Sequence, residues 1–304
     1  MSFSSFPEEL VERILADAVV AVPAPSTRPS WHRSSECRTR VAPVLVSKQF
    51  HRISLGLLYS TVVLHTPTQS ASFLAALRAQ PQLARCVRRL VLLAPCDADV
   101  EIARLLRVSG AQIAYLDVTL PHDDHDSGLA HALRGLGGGL RHLVIRKPPA
   151  TYLSQCGPRA VLDALSTSCT NLESATLSFP LSPDPALASL VAALTAAPAL
   201  HTLRAPAPSF WTPTLLGVAQ NPALRRICLN ADLAAAPSFT SRRPLIATSL
   251  FLSVARTHGR LSDLIRAGTS VLGWRVRAWT MGSVDASASA GSYPGASAAP
   301  DCPC

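Results

Sequence analysis

Lysine is almost missing from this chain: only Lys48 and Lys147 among its 28 basic residues are lysines, and the rest are arginines. Charge of any kind is scarce, at 15% of 304 residues, and aromatics reach only 5%. With 48% hydrophobic side chains, so weakly charged a composition excludes a disordered chain and supplies a large core. The net charge of +9 is spread along the sequence, with no lysine-rich tail and no basic stripe interleaved with aromatics. That pattern argues against a nucleic-acid partner. No run of eighteen apolar residues occurs, so no membrane span is expected. Glu8, Glu9 and Glu12 stand where a secretory leader needs a basic start and an apolar run. A cytoplasmic or nuclear location follows as the expectation.

The signatures of chemistry are also thin. None of the eight cysteines forms a paired CxxC at metal-site spacing. No Gly-x-Ser-x-Gly elbow occurs. "GLGGGL" at 135–140 lacks the lysine of a phosphate loop and follows a helical stretch, so it reads as a helix stop. "PHDDHD" at 121–126 could in principle hold a metal, but its place after a strand and before a helix suits an ordinary polar loop. No catalytic residue, cofactor or metal ligand is nominated, and the chain is not expected to be an enzyme.

What the sequence does have is a recurring phrase, apolar-x-x-apolar-x-apolar. It runs through Val87/Leu90/Leu92, Ile113/Leu116/Val118, Leu140/Leu143/Ile145, Leu172/Ala175/Leu177, Leu200/Leu203/Ala205 and Leu224/Ile227/Leu229. The central residues are 26, 27, 32, 28 and 24 positions apart. The end of each phrase alternates, as a strand buried on one face does. Pro95, Pro121, Pro148, Pro180 and Pro208 each follow the last apolar position by three residues. Proline donates no ladder hydrogen bond, so each ends its strand. Between phrases, 71–79, 99–108, 127–136, 158–168, 186–196 and 213–220 carry apolar residues at helical spacing. "YSTVVLHT" at 59–66, with Val62 and Leu64, suggests a further strand ahead of the first phrase.

One strand plus one helix per unit, repeated at this period, predicts an α/β chain built as a solenoid. The phrase resembles irregular leucine-rich repeats, with proline where the regular family carries Asn or Cys, and the resemblance implies uneven curvature. An open sheet rich in βαβ units is the alternative; recurrence of the phrase itself favours the solenoid. In such a coil the residues flanking the buried strand positions face the concave side. They include Val91, Val144, Ser174, Thr176, Thr202 and Cys228. Arg89, Tyr115, Asp117, His142, Arg146, Arg204 and Arg226 are the candidates for binding a target protein.

The first sixty residues differ in kind. "SSFPEELVERILADAV" (4–19) reads as a helix opened by Ser5 and Glu8, with Phe6, Leu10, Ile14, Leu15 and Ala18 on one face. "VLVSKQFHRISLGLLYSTV" (44–62) reads as a second helix, with Val46, Phe50, Ile53 and Leu57 in phase. Phe-Pro-x-Glu-Leu, then Val-Ser-Lys-x-Phe leading to Leu-Leu-Tyr, resembles the F-box, and most closely the F-box-like proteins of fungi. Phe6 stands where that family has leucine, and Phe50 where tryptophan is common. The resemblance implies a substrate-recognition subunit of an SCF-type E3 ubiquitin ligase, whose partners are a Skp-type adaptor, the cullin–RING ligase behind it and a target protein. It assigns adaptor contact to Phe6, Pro7, Leu10, Ile14, Val46, Phe50, Ile53, Leu57, Leu58 and Tyr59. Without that role, the chain reads as a leucine-rich interaction scaffold. The expected organisation is an F-box-like helical hairpin over 1–60, repeats with a C-terminal cap over 61–270, and a largely disordered tail over 271–304, rich in Ser, Ala, Gly and Pro. A helix is expected over 245–267, and 271–279 alternates like a strand.

Overall fold

The computed structural model describes residues 7–19, 41–122, 128–229, 245–246 and 249–272. Helix α1 (Glu8–Val19) buries Val11, Leu15 and Val19, which fall at i, i+4 and i+8. Leu10 and Ile14, grouped with Leu15 on one face by the sequence and assigned to adaptor contact, stay exposed while Leu15 turns inward. Helix α2 (Lys48–Ser60) packs against α1, and Arg52 pairs with Glu8 across the contact. The sequence predicts helix from residue 44. Instead Ala42–Leu45 forms a single 3₁₀ turn, and the Ser47 hydroxyl accepts the Phe50 N–H at 3.2 Å to start α2. Its end is equally local: the β-branched Thr61-Val62-Val63 run enters strand β1 (Thr61–Leu64).

Six more strands follow: β2 (Arg89–Leu92), β3 (Tyr115–Thr119), β4 (His142–Arg146), β5 (Ser174–Leu177), β6 (Thr202–Ala205) and β7 (Arg226–Leu229). Together they form one seven-stranded parallel sheet in strictly sequential order. Its register joins the repeated positions directly. Val62 pairs with Leu90, Leu90 with Leu116, Leu116 with Leu143, Leu143 with Ala175, Ala175 with Leu203 and Leu203 with Ile227. Every one of these side chains is buried. Pro95, Pro121, Pro148, Pro180 and Pro208 all lie beyond the ends of their strands.

Between strands run α3 (Pro67–Ala79), α4 (Asp97–Val108), α5 (Leu129–Leu133), α6 (Cys156–Ser166), α7 (Ala188–Ala196) and α8 (Pro213–Ala219). Each packs on the next, so the helices form one layer on one side of the sheet. The core lies between the layers, where Leu77, Leu90, Ile102, Leu106, Leu143 and Leu190 are sealed from solvent. Helix α5 is shorter than its sequence pattern because two left-handed glycines bracket it, Gly128 at φ 71° and Gly135 at φ 87°. The architecture is α/β, and strictly sequential parallel strands with one helix layer are compatible with repeated strand–helix units.

Beyond β7, the helix expected over 245–267 is divided. Leu245–Ile246 (β8) pairs in parallel with Val271–Leu272 (β9), and α9 (Leu250–Ala255) and α10 (Gly259–Gly268) lie between them. The break falls at Thr257 and His258, whose N–H groups close the last turn on the Val254 and Ala255 carbonyls at 2.9 and 3.2 Å, a tighter i→i−3 pattern. Helix α10 packs on β7 and covers that end of the sheet. The expected strand continues only to Leu272 within the described residues, and the expected disordered tail beyond it lies outside them. Among the described residues, no helix is long and apolar enough to cross a membrane.

Candidate binding face on the open side of the sheet

Alternation along each strand sends one set of side chains under the helices and the other onto the face that no described helix covers. Parallel register then aligns the second set into rows. One row is Arg89, Tyr115, His142, Ser174, Thr202 and Arg226. The next is Val91, Asp117, Val144, Thr176, Arg204 and Cys228. All seven residues proposed from sequence for target binding are therefore on this one face, Arg146 lying two residues beyond Val144 on β4.

The half nearest the N-terminus is internally satisfied. The Arg89 guanidinium carbon sits 3.9 Å from the centre of the Tyr115 ring, a cation–π contact. Tyr115 and His142 rings are 6.3 Å apart, and His142 Nδ1 lies 2.8 Å from the Ser174 hydroxyl. Asp117 is 2% exposed and is gripped by Arg146 through two hydrogen bonds, from Nε to Oδ1 at 2.7 Å and from Nη2 to Oδ2 at 2.8 Å. The Asp117 hydrogen bonds hold the Arg146 guanidinium charged, raising its pKa against the effect of burial. Burial pushes the Tyr115 hydroxyl above its usual 10, and the negative charge of Asp117 pushes it further.

The other half is not satisfied in this way. Arg226 donates Nε to the Thr202 hydroxyl at 2.8 Å and is exposed. Arg204 is exposed, and its side chain makes no hydrogen bond or ion pair among the described residues. The sequence put all four arginines of the face in one class. The structure separates them, because only Arg146 has an acid on the neighbouring strand at fork distance.

A second surface lies on the N-terminal helices. Pro7, Leu10 and Ile14 are exposed, Leu10 by 49% and Ile14 by 67%, and Val46 by 65%. Phe50, Ile53, Leu57, Leu58 and Tyr59 are half-buried. Tyr59 faces inward, stacked on Phe73 of α3 with ring centres 6.1 Å apart. Phe6 lies outside the described residues. Leu45, 81% exposed, escaped the sequence reading because it looked like part of a helix; Pro43 two positions before it was the available signal of a turn.

Little else invites chemistry. Most of "PHDDHD" lies outside the described residues, and among those described no group of His, Cys, Asp and Glu could hold a metal ion. A groove of about 340 Å³ between the starts of α7 and α8 has one titratable side chain, Asp184, already occupied in capping the turn at Ala186. Cys169 is buried, and its thiol is pushed up to about 11 by loss of solvent. Compared with known proteins, the chain matches no protein-family model and no curated protein.

Proposed function

We propose that the chain is a non-catalytic recognition subunit: an F-box-like helical pair that docks on a Skp-type adaptor, joined to an irregular leucine-rich-repeat solenoid that selects a target for a cullin–RING ubiquitin ligase. The observation that carries the adaptor half is the exposure of Leu10, Ile14, Leu45 and Val46 on the N-terminal helical segment. Apolar side chains left in water on so small a unit favour a covering partner. The solenoid half is supported by the aligned register of seven strands at the repeated positions.

The reading is tested by co-expression with a Skp-type adaptor. The wild-type chain is expected to co-purify with it. Leu10→Asp with Ile14→Asp is expected to abolish the complex while leaving the circular dichroism spectrum unchanged, since both side chains are already solvated. If the wild-type chain binds no such adaptor, the ligase role is lost. One observation favours the alternative of a scaffold with no ligase role: α2 contacts β1 and the turn before β2, and Tyr59 stacks on Phe73, so the N-terminal helices also serve as a cap for the sheet.

A further inference from the structure

We propose that the β5–β7 part of the open face binds an extended, acidic polypeptide segment through Arg204 and Arg226. This deepens the reading of the open face as a target surface, yet its test does not involve the adaptor. Adaptor docking can fail while the peptide still binds, and the reverse.

The argument begins with charge. The two open-face rows carry Ser174, Thr176, Thr202, Arg204, Arg226 and Cys228 on β5–β7: two cations, three hydroxyls, a thiol and no acid. Among the described residues, Glu173 just before β5 borders this part, and it is already paired with Arg141 at 3.3 Å. On the other half of the face, Asp117 is consumed by Arg146. Among the described residues, Arg204 and Arg226 thus stand as charges with no acidic partner.

Geometry narrows the ligand. Arg204 pairs in register with Cys228, and Arg226 with Thr202. The two arginines are therefore diagonal neighbours on adjacent parallel strands, their Cα positions about 8 Å apart from strand spacing and rise. Alternate side chains of an extended strand are spaced by about 6.6–6.8 Å on one face. An extended segment with carboxylates at alternate positions would meet both guanidinium forks at once, each able to accept a bidentate carboxylate. The Thr202 bond to Arg226 Nε fixes that side chain at its base, which lowers the entropy lost on binding. A single-stranded nucleic acid fits less well. Stacking platforms are what bases require, and the aromatic ring on this face, Tyr115, is already covered by Arg89.

The experiment uses the full chain and a fluorescein-labelled peptide of alternating Glu and Ser, with Gln replacing Glu in the control, read by fluorescence anisotropy. The acidic peptide is expected to bind and the control not to, with affinity falling as salt rises. Arg204→Glu with Arg226→Glu is expected to weaken binding by about tenfold or more. Arg204→Gln with Arg226→Gln, a milder change that keeps the proposal testable if charge reversal impairs folding, gives an intermediate loss. Arg104→Glu, on the helix layer, is expected to leave binding unchanged. A phosphoserine version that binds through the same two arginines supports the proposal and names phosphate as the preferred anion. Equal binding of acidic and neutral peptides overturns it. So does an equal loss in Arg104→Glu, or displacement of the peptide by a single-stranded oligonucleotide with the same arginine dependence.

Discussion

Asp117 and Arg146 close a two-bonded fork from β3 to β4, with the carboxylate almost wholly buried and the guanidinium keeping 26% of its side chain in solvent. Truncating one partner leaves the other without compensation. Arg146→Ala is expected to destabilise the fold by about 2–4 kcal/mol, at or below the usual range for breaking a fully buried pair because Arg146 is part-exposed. Replacing both by Leu removes the desolvated charges together and is expected to recover most of the loss. Urea denaturation of the two variants checks both statements.

Burial, with a smaller contribution from Asp117, sets the alkaline behaviour of the neighbouring Tyr115. Tyr115 loses its proton less readily in the folded chain than at its usual value of 10, first through burial and then through Asp117. The folded state therefore holds this proton more tightly than the unfolded one. The associated stability is complete below pH 10 and falls as pH rises from there through the higher folded value. Tyr115→Phe is expected to flatten the stability profile in that alkaline window, measured as urea midpoints at stepped pH.

Helix α10 closes the β7 end of the sheet by an arrangement that tolerates little change. A Cβ on Gly268 would stand 2.3 Å from the Ile227 carbonyl oxygen. Main chain cannot yield as a side chain does, so Gly268→Ala is expected to cost about 1–3 kcal/mol. Thr269 then substitutes for a missing neighbouring strand, its hydroxyl accepting the Leu229 N–H at 2.7 Å and donating to the Ile227 carbonyl at 3.0 Å. Thr269→Val keeps the shape and loses both bonds, for an expected cost of about 1–3 kcal/mol. Thermal unfolding of both variants, with Arg104→Ala as a surface control, provides the measurement.

The sheet was legible because its signal is local and repeated. Leu90, Leu116, Leu143, Ala175, Leu203 and Ile227 mark themselves by spacing, and a parallel register only had to align them. The open face followed from the same alternation. What did not follow was pairing across strands. Nothing in the spacing of Asp117 and Arg146 says that they meet, because strand stagger and rotamer decide it. Helix faces failed where the apolar residues outnumbered the positions of one stripe. In α1 either Leu10/Ile14 or Val11/Leu15/Val19 could have turned inward, and contact with α2 selected the second set. Helix ends near 44 and 257 failed for another reason: Ser47 starts α2 through a single side-chain hydrogen bond and α9 closes at Thr257 through i→i−3 backbone bonds, neither of which periodicity registers.

Burial separates two cysteines that composition treats alike. Cys169 is 2% exposed, donates its thiol to the Leu165 carbonyl at 3.3 Å, and is held protonated up to about 11. Cys156, at the start of α6, is exposed. The thiolate is the nucleophile, so alkylation at neutral pH needs both access and ionisation, and Cys169 has neither. Brief iodoacetamide treatment followed by peptide mass mapping is expected to label Cys156 and spare Cys169. In urea, above the unfolding midpoint, the two should label at similar rates. Rapid labelling of Cys169 in the native chain would mean that α6 opens locally, and the protected core placed here between α6 and β5 would then be wrong at that point.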